Sequence, residues 1–421
     1  MAGGWQYLGR NPWAQALGLV GMAVMLVVSP GALAAAADNA AAAPATAAPV
    51  AQAPTAGTVW LAGPAGSALE LEAALLQAKD GDTIELLSGE YRGGLLIENR
   101  RLTLRGMNGG KAPVIRGKGA AGNNKALWTV RGGQVTLQNL EFRGARSAEG
   151  SGAGVRHEGG QLTLQRCAFF DNEHGLFSTN DDKAQITIEA SVFGLAPRVV
   201  GGLHHLLNVG RIAKLSISGS RFQQGFEGHL IKTRARENLI TYNFIHDGQR
   251  GGASYEIDIA NGGLATIIGN VIGQGADTQN PVLLGYGTED RAWDQNVLLV
   301  AHNTFISWGW TPAWFMRVIS GNLPPQTEVV AVNNVLVGGG LFGLGSPGFF
   351  EGNRHATRGM LRDAETYAFE LVPGSIWRNS GIDPRAVNGH DLSPKAEYVW
   401  PAGTRPLPGG RSSWAPGAFQ N

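Results

Sequence analysis

The chain has 421 residues, 62 of them glycine and one cysteine, with 34 Lys+Arg against 33 Asp+Glu. Charged residues make up 16%, against about a quarter in ordinary domains, and 43% are hydrophobic, which favours a packed core over disorder. The balanced charge argues against nucleic acid as a partner, one cysteine excludes a disulfide framework, and the glycines lack collagen's three-residue period.

Residues 1–34 read as an export signal. Arg10 is the only charge before Asp38, an apolar run covers Ala16 to Val28, and Ala32-Leu33-Ala34 follows as a cleavage site. The run is shorter than the ~20 apolar residues that span a bilayer, so the mature chain is expected to have no stable membrane span. Residues 35–57 are nearly pure Ala and Pro and read as a linker. The expected location is periplasmic or secreted.

Beyond the linker, Ser67 is placed to cap a short helix over Leu69–Ala78. Gly81-Asp82-Thr83-Ile84-Glu85-Leu86 reads as a turn into a strand. An amphipathic helix here would cover the open end of a stacked structure. From residue 130 a pattern recurs in which alternating apolar residues lead to Phe142, Phe169, Phe193, Phe222, Ile245, Ile272, Phe305 and Leu336. Two places before each stand Leu140, Cys167, Ser191, Ser220, Asn243, Asn270, Asn303 and Asn334. Self-similarity at this spacing marks a solenoid, and the period-2 alternation makes its units strands and turns. The asparagine column suits a bend, since Asn tolerates the left-handed conformation and its amide can bond its counterpart on the next coil. Cys167, one rung of that column, is expected to be a buried thiol.

The helix, GDTIELLSGEY (81–91), RLTLRG (101–106), the stacked repeats and the closing Pro416-Gly417-Ala418-Phe419-Gln420 resemble the pectate-lyase-like right-handed parallel β-helix superfamily, over about residues 59–421. The resemblance implies a mainly β fold, a single-stranded right-handed parallel β-helix with an N-terminal capping helix. It would occupy residues 58–349, with 350–421 an irregular extension packed along it. The superfamily holds lyases, hydrolases, esterases, epimerases and adhesive or inert proteins, so the fold alone implies no single activity.

The densest polar stretch is Gly228-His229-Leu230-Ile231-Lys232-Thr233-Arg234-Ala235-Arg236, followed one coil later by Tyr255-Glu256-Ile257-Asp258-Ile259-Ala260-Asn261. Strand alternation points Ile231, Ile257 and Ile259 inward, and Lys232, Arg234, Glu256 and Asp258 outward. Counting back from Asn243 and Asn270 makes Lys232 and Asp258 near-neighbours on adjacent coils. A cationic row beside an anionic row is either a solvated salt-bridge ladder or a groove for an anionic polysaccharide. A lyase acting on uronic acids must neutralise a carboxylate and supply a base, roles that suit Arg and Lys.

This stretch also resembles the alginate lyase and chondroitinase B group, in which a Lys and an Arg on consecutive coils are catalytic. Asn238-Leu-Ile-Thr-Tyr-Asn243-Phe-Ile245 occupies the group's Asn-rich segment. Arg234 stands at the position of its Lys, and Ile259-Ala260-Asn261-Gly262 replaces its Arg-His-Gly. The candidate catalytic residues are therefore Lys232, Arg234, His229, Glu256 and Asp258. Arg236, Tyr255, Asn261, Trp310, Trp314 and Arg317 are the candidate substrate contacts. The indoles stack on sugars if exposed and fill loop cores if buried.

Three functions remain open: binding and β-eliminative cleavage of a uronic-acid polysaccharide, a non-catalytic polysaccharide-binding or cell-envelope solenoid, and a glycoside hydrolase using Glu256 and Asp258. That carboxylate pair also offers oxygen ligands to Ca²⁺, with no further carboxylates at local spacing. A polysaccharide is the expected partner and a monomer the expected state.

Overall fold

Short alternating strands satisfy their backbone only by pairing with the coils above and below, and here they do so in parallel. The computed structural model describes residues 57–117 and 125–420, so the export signal and all but the last residue of the linker lie outside the described residues. From Val59 the chain winds through three parallel sheets of 12, 11 and 10 strands. Each coil adds one strand to each sheet in that order, as in Gln161–Gln165, Ala168–Phe170 and His174–Ser178. The result is a right-handed parallel β-helix. Among the described residues no helix is long and apolar enough to cross a membrane.

The N-terminal helix is Leu71–Gln77, shorter than expected, and its N-cap residue is Glu70, not Ser67. Glu70 accepts a hydrogen bond from Gly66 N at 2.7 Å. Leu71 and Ala74 form the buried face of the helix, which packs on Val59–Ala62 and Thr83–Leu86.

The two columns legible in the sequence are real rows of the structure. Phe142, Phe169, Phe193, Phe222, Ile245, Ile272, Phe305 and Leu336 are successive register partners in the 11-stranded sheet. The first four rings stack at 5.0, 4.4 and 4.7 Å with planes within 9°. Phe193→Leu keeps the apolar volume but removes two ring–ring contacts, and should cost about 2 kcal/mol in a urea titration. A loss below about 0.5 kcal/mol would show that area alone carries this column.

In the polar column the bend differs in detail from the expectation. The left-handed residue is the one before each rung: Asn139, Arg166, Ala190, Tyr242, His302 and Asn333 have φ between 47° and 56°. The rung itself supplies side-chain bonds. Asn270 donates both its backbone N (2.9 Å) and Nδ2 (3.0 Å) to Asn303 Oδ1, and the same pair recurs from Asn243 to Asn270 and from Asn303 to Asn334. Cys167 fills one rung as a buried thiol, pushed up to about 12 by burial.

After the last coil strands, Phe349–Glu351 and Arg354–Ala356, two short antiparallel pairs follow: Leu361–Asp363 with Ala368–Leu371, and Ala396–Tyr398 with Thr404–Pro406. Phe369 and Tyr398 pack with Phe244, Val271 and Ile306 on the outside of the 11-stranded sheet.

Candidate functional site

The ten-stranded sheet carries the polar stretch. Its strands at this level are Leu207–Val209, Ile231–Thr233, Ile257–Ile259 and Val282–Tyr286. Register partners on these strands form one outward row, Asn208–Lys232–Asp258–Gly285, continued by Arg317. Lys232 and Asp258 are thus direct partners, with Nζ 3.6 Å from Oδ2. The same Asp258 oxygen lies 3.2 Å from His229 Nδ1, and the other accepts a hydrogen bond from Thr288 Oγ1. Asp258 is 1% exposed, so it holds Lys232 and His229 from beneath and does not itself reach solvent. Gly285 leaves room for Tyr255 and Thr288: a Cβ there would sit 2.9 Å from both the Tyr255 ring and Thr288.

A residue that sequence reasoning did not single out completes the cluster. Residues 287–296 form a loop between Val282–Tyr286 and Val297–Ala301, and bring Glu289 back over the previous two coils. Its carboxylate accepts from Arg234 Nε (2.8 Å) and Nη2 (2.7 Å), and lies 3.1 Å from Lys232 Nζ and 3.3 Å from Asn261 Nδ2. Burial pushes the Glu289 carboxyl up, but Arg234 and Lys232 outweigh it and hold it at about 2. Trp293 on the same loop is faced by Arg211, 3.7 Å from the ring centroid, and more distantly by Arg236 at 5.7 Å.

Beside this cluster lies an open cleft of about 560 Å³, walled by Arg156, Arg211, Arg234, Arg291, Glu289 and Asp290 among others. Four basic against two acidic side chains make it an anion-attracting groove. Arg211 contributes a charge without a carboxylate partner, since its guanidinium bonds the carbonyl oxygens of Arg291 and of the Asn261 amide.

A second row that the sequence did not reveal runs alongside. The rings of His174, His205, His229 and Tyr255 follow one another on four successive coils with centroids 5.7, 4.6 and 4.7 Å apart, the first pair stacked, the second edge-on and the third tilted. Burial, with the neighbouring His229 next in weight, holds His205 well below the usual imidazole range, and burial brings His174 down to about 4. Both are neutral rings at pH 7.

Glu256 is not where alternation places it. It lies one residue before the strand, at a bend where Leu206, Leu230, Leu283 and Phe315 occupy the equivalent positions and belong to the core. Two consecutive residues turn inward there, Leu230 with Ile231 and Glu256 with Ile257. Glu256 is fully buried, near Gln274 Nε2 at 3.4 Å, and burial followed by the Asp247 charge raises its pKa well above the carboxylate range. The Glu256–Asp258 pair therefore does not form on the outer face, neither as an acid/base pair nor as a Ca²⁺ site. Among the described residues no group of three or more His, Cys, Asp or Glu side chains is disposed to hold a metal ion.

The remaining candidates divide. Tyr255 and Asn261 join the cluster, and Arg236 borders it on Trp293. Arg317 stands further up the same row over Trp314, at 5.4 Å. Trp310 is 97% exposed, whereas Trp308 is buried and donates to His246.

No family model and no curated sequence matches the chain. Among solved structures it is similar to pectate lyase Pel9A, with a TM-score of 0.62 and 13% identity over 87% of this chain and 97% of that one. The fold is that of the pectate lyases. Lower likenesses are to AlyGC, a PL6-family alginate lyase (TM-score 0.42, 16% identity, 73% of this chain and 42% of that one), and to a pectin methylesterase from Aspergillus niger (0.37, 11%, 81% and 96%).

Proposed function

We propose that this chain is an exported β-helix protein that binds a uronic-acid polysaccharide along the outer face of the ten-stranded sheet and cleaves it by β-elimination. The observation that carries this reading is the cleft whose walls hold four arginines beside the His229–Asp258–Lys232 cluster. The polysaccharide action of the pectate lyase with the same fold is consistent with it.

In β-elimination a base takes the proton next to the uronate carboxylate, a carbon–carbon double bond forms, and the glycosidic C–O bond breaks with a proton passing to the leaving oxygen. Neutralising the carboxylate makes that proton acidic enough to remove. Lys232 sits between the carboxylates of Asp258 and Glu289, and its ammonium is placed for charge neutralisation of a uronate. His229 has Asp258 beside Nδ1 and is the better proton acceptor.

The test is incubation with polygalacturonate, alginate and chondroitin, following the ultraviolet absorbance of unsaturated uronides. Wild type should give product from at least one. His229→Gln should lower turnover by about 10²-fold or more with binding retained. Arg234→Ala should weaken binding about tenfold or more. Binding without product from any polymer would favour a non-catalytic solenoid, for which the occupied state of Lys232 and Arg234 is the supporting observation.

A further inference from the structure

The four donors around Glu289 are arranged as a carboxylate receptor. Oε2 takes Arg234 Nε at 2.8 Å and Asn261 Nδ2 at 3.3 Å, while Oε1 takes Arg234 Nη2 at 2.7 Å and Lys232 Nζ at 3.1 Å. A two-pronged guanidinium with two further donors, one on each oxygen, is the pattern by which proteins recognise a planar carboxylate. We propose that these residues form the carboxylate-binding subsite of the cleft and that Glu289 is its resident occupant, which the carboxylate of a uronic acid displaces. This rests on the acidic-glycan reading above for its natural ligand, but not for its geometry.

Three observations separate this from an ordinary surface ion pair. First, the receptor's two cations have anchors other than Glu289. Lys232 keeps Asp258 at 3.6 Å, and Arg234 Nη1 keeps Asn208 Oδ1 at 3.3 Å. Secondly, the loop does not need the Glu289 side chain to hold its course. Gly287 N, Glu289 N and Trp293 N donate to Ile259 O, Ala260 O and Asn261 O at 2.9, 2.9 and 3.1 Å, and the Trp293 indole donates to Arg234 O. The movable part is one side chain on a fixed backbone. Thirdly, the Glu289 side chain is 31% exposed and lies on the wall of the cleft, with Arg234 and Asn261, so an incoming carboxylate has access to its place.

Exchange of one carboxylate for another leaves the receptor's hydrogen bonds intact, so its cost is the competition itself. A tethered carboxylate acts at an effective concentration of the millimolar order or above. If the open form amounts to about 1–10% of molecules, apparent affinity for an external carboxylate is reduced by about ten- to a hundredfold.

The experiment titrates wild type, Glu289→Ala and Glu289→Gln with D-galacturonate and, as the neutral counterpart, D-galactose, by ligand-observed NMR. Glu289→Gln preserves shape and serves where the alanine variant proves unstable. Both variants should bind galacturonate at least about tenfold more tightly than wild type, with no gain for galactose, and Arg234→Ala in the same background should abolish the gain. An unchanged galacturonate affinity, an equal gain for galactose, or a gain that survives Arg234→Ala would overturn the proposal. Polymer cleavage by wild type is measured separately, so failure of the functional reading and failure of the subsite are read from different samples.

Discussion

Replacing Asn303 with alanine is expected to destabilise the β-helix by about 4 kcal/mol in chemical denaturation, the largest loss expected from a single rung of the asparagine column. Asn303 is fully buried, and its Oδ1 is the shared acceptor for the backbone N and Nδ2 of Asn270. Alanine strands both donors where water does not reach, at about 1–3 kcal/mol each. It also removes the Nδ2 donor that Ile267 O and Ala301 O accept from. The comparison that isolates this mechanism is Asn353→Ala. Asn353 performs the same service for Asn334, at 3.0 and 2.8 Å, but is only half-buried at the end of the column. Water can replace it there, so its loss should be about 1 kcal/mol. Equal losses at the two positions would mean that stranded donors do not set the cost.

That column was legible from sequence because the chain can stack only if equivalent residues recur once per coil, whatever the loops between them do. The Lys232–Asp258 partnership came from the same counting, since both are measured back from the rungs Asn243 and Asn270. Two features were hidden by the loops and a third by a bend. Glu289 lies on a loop two coils after Arg234 that doubles back, so no local spacing ties the two. His174, His205 and His229 are separated by loops of unequal length and look scattered until the coils are stacked. Glu256 was misplaced because period-2 alternation stops at a bend, where two successive side chains share the interior. The left-handed position left only a weak compositional trace, being Asn on two coils and Gly on two but Arg, Ala, Tyr or His on the others.

Acid should unfold this protein through its buried histidines, with stability falling steadily as pH drops below about 6.5. Burial is the largest cause in each case, bringing His157 and His174 from 6.5 down to about 4 and His246 and His302 down to about 3. Local donors add a reason at two of them. An extra proton on His302 Nε2 would face Asn333 Nδ2, and a charged His246 would meet donors at both ring nitrogens, from Gly248 N and Trp308 Nε1. Because these folded values are depressed, the unfolded chain binds protons that the folded chain refuses. Stability is therefore complete above about 6.5 and is lost as pH falls towards 4 and then 3, by about 1.4 kcal/mol per pH unit for each histidine. Asp247, raised by burial to about 7, and Glu256 work in the opposite sense over the same range, since the folded chain holds their protons more tightly. With these four histidines and His205, also depressed by burial, against two carboxyls, the histidines prevail. His157 offers the cleanest test, because its ring is fully buried and phenylalanine fills the same space. The stability advantage of His157→Phe over wild type should grow by about 2 kcal/mol between pH 7 and pH 5. A difference that stays constant with pH would show that His157 takes up its proton as readily in the folded protein as in the unfolded chain, and that the acid limit lies elsewhere.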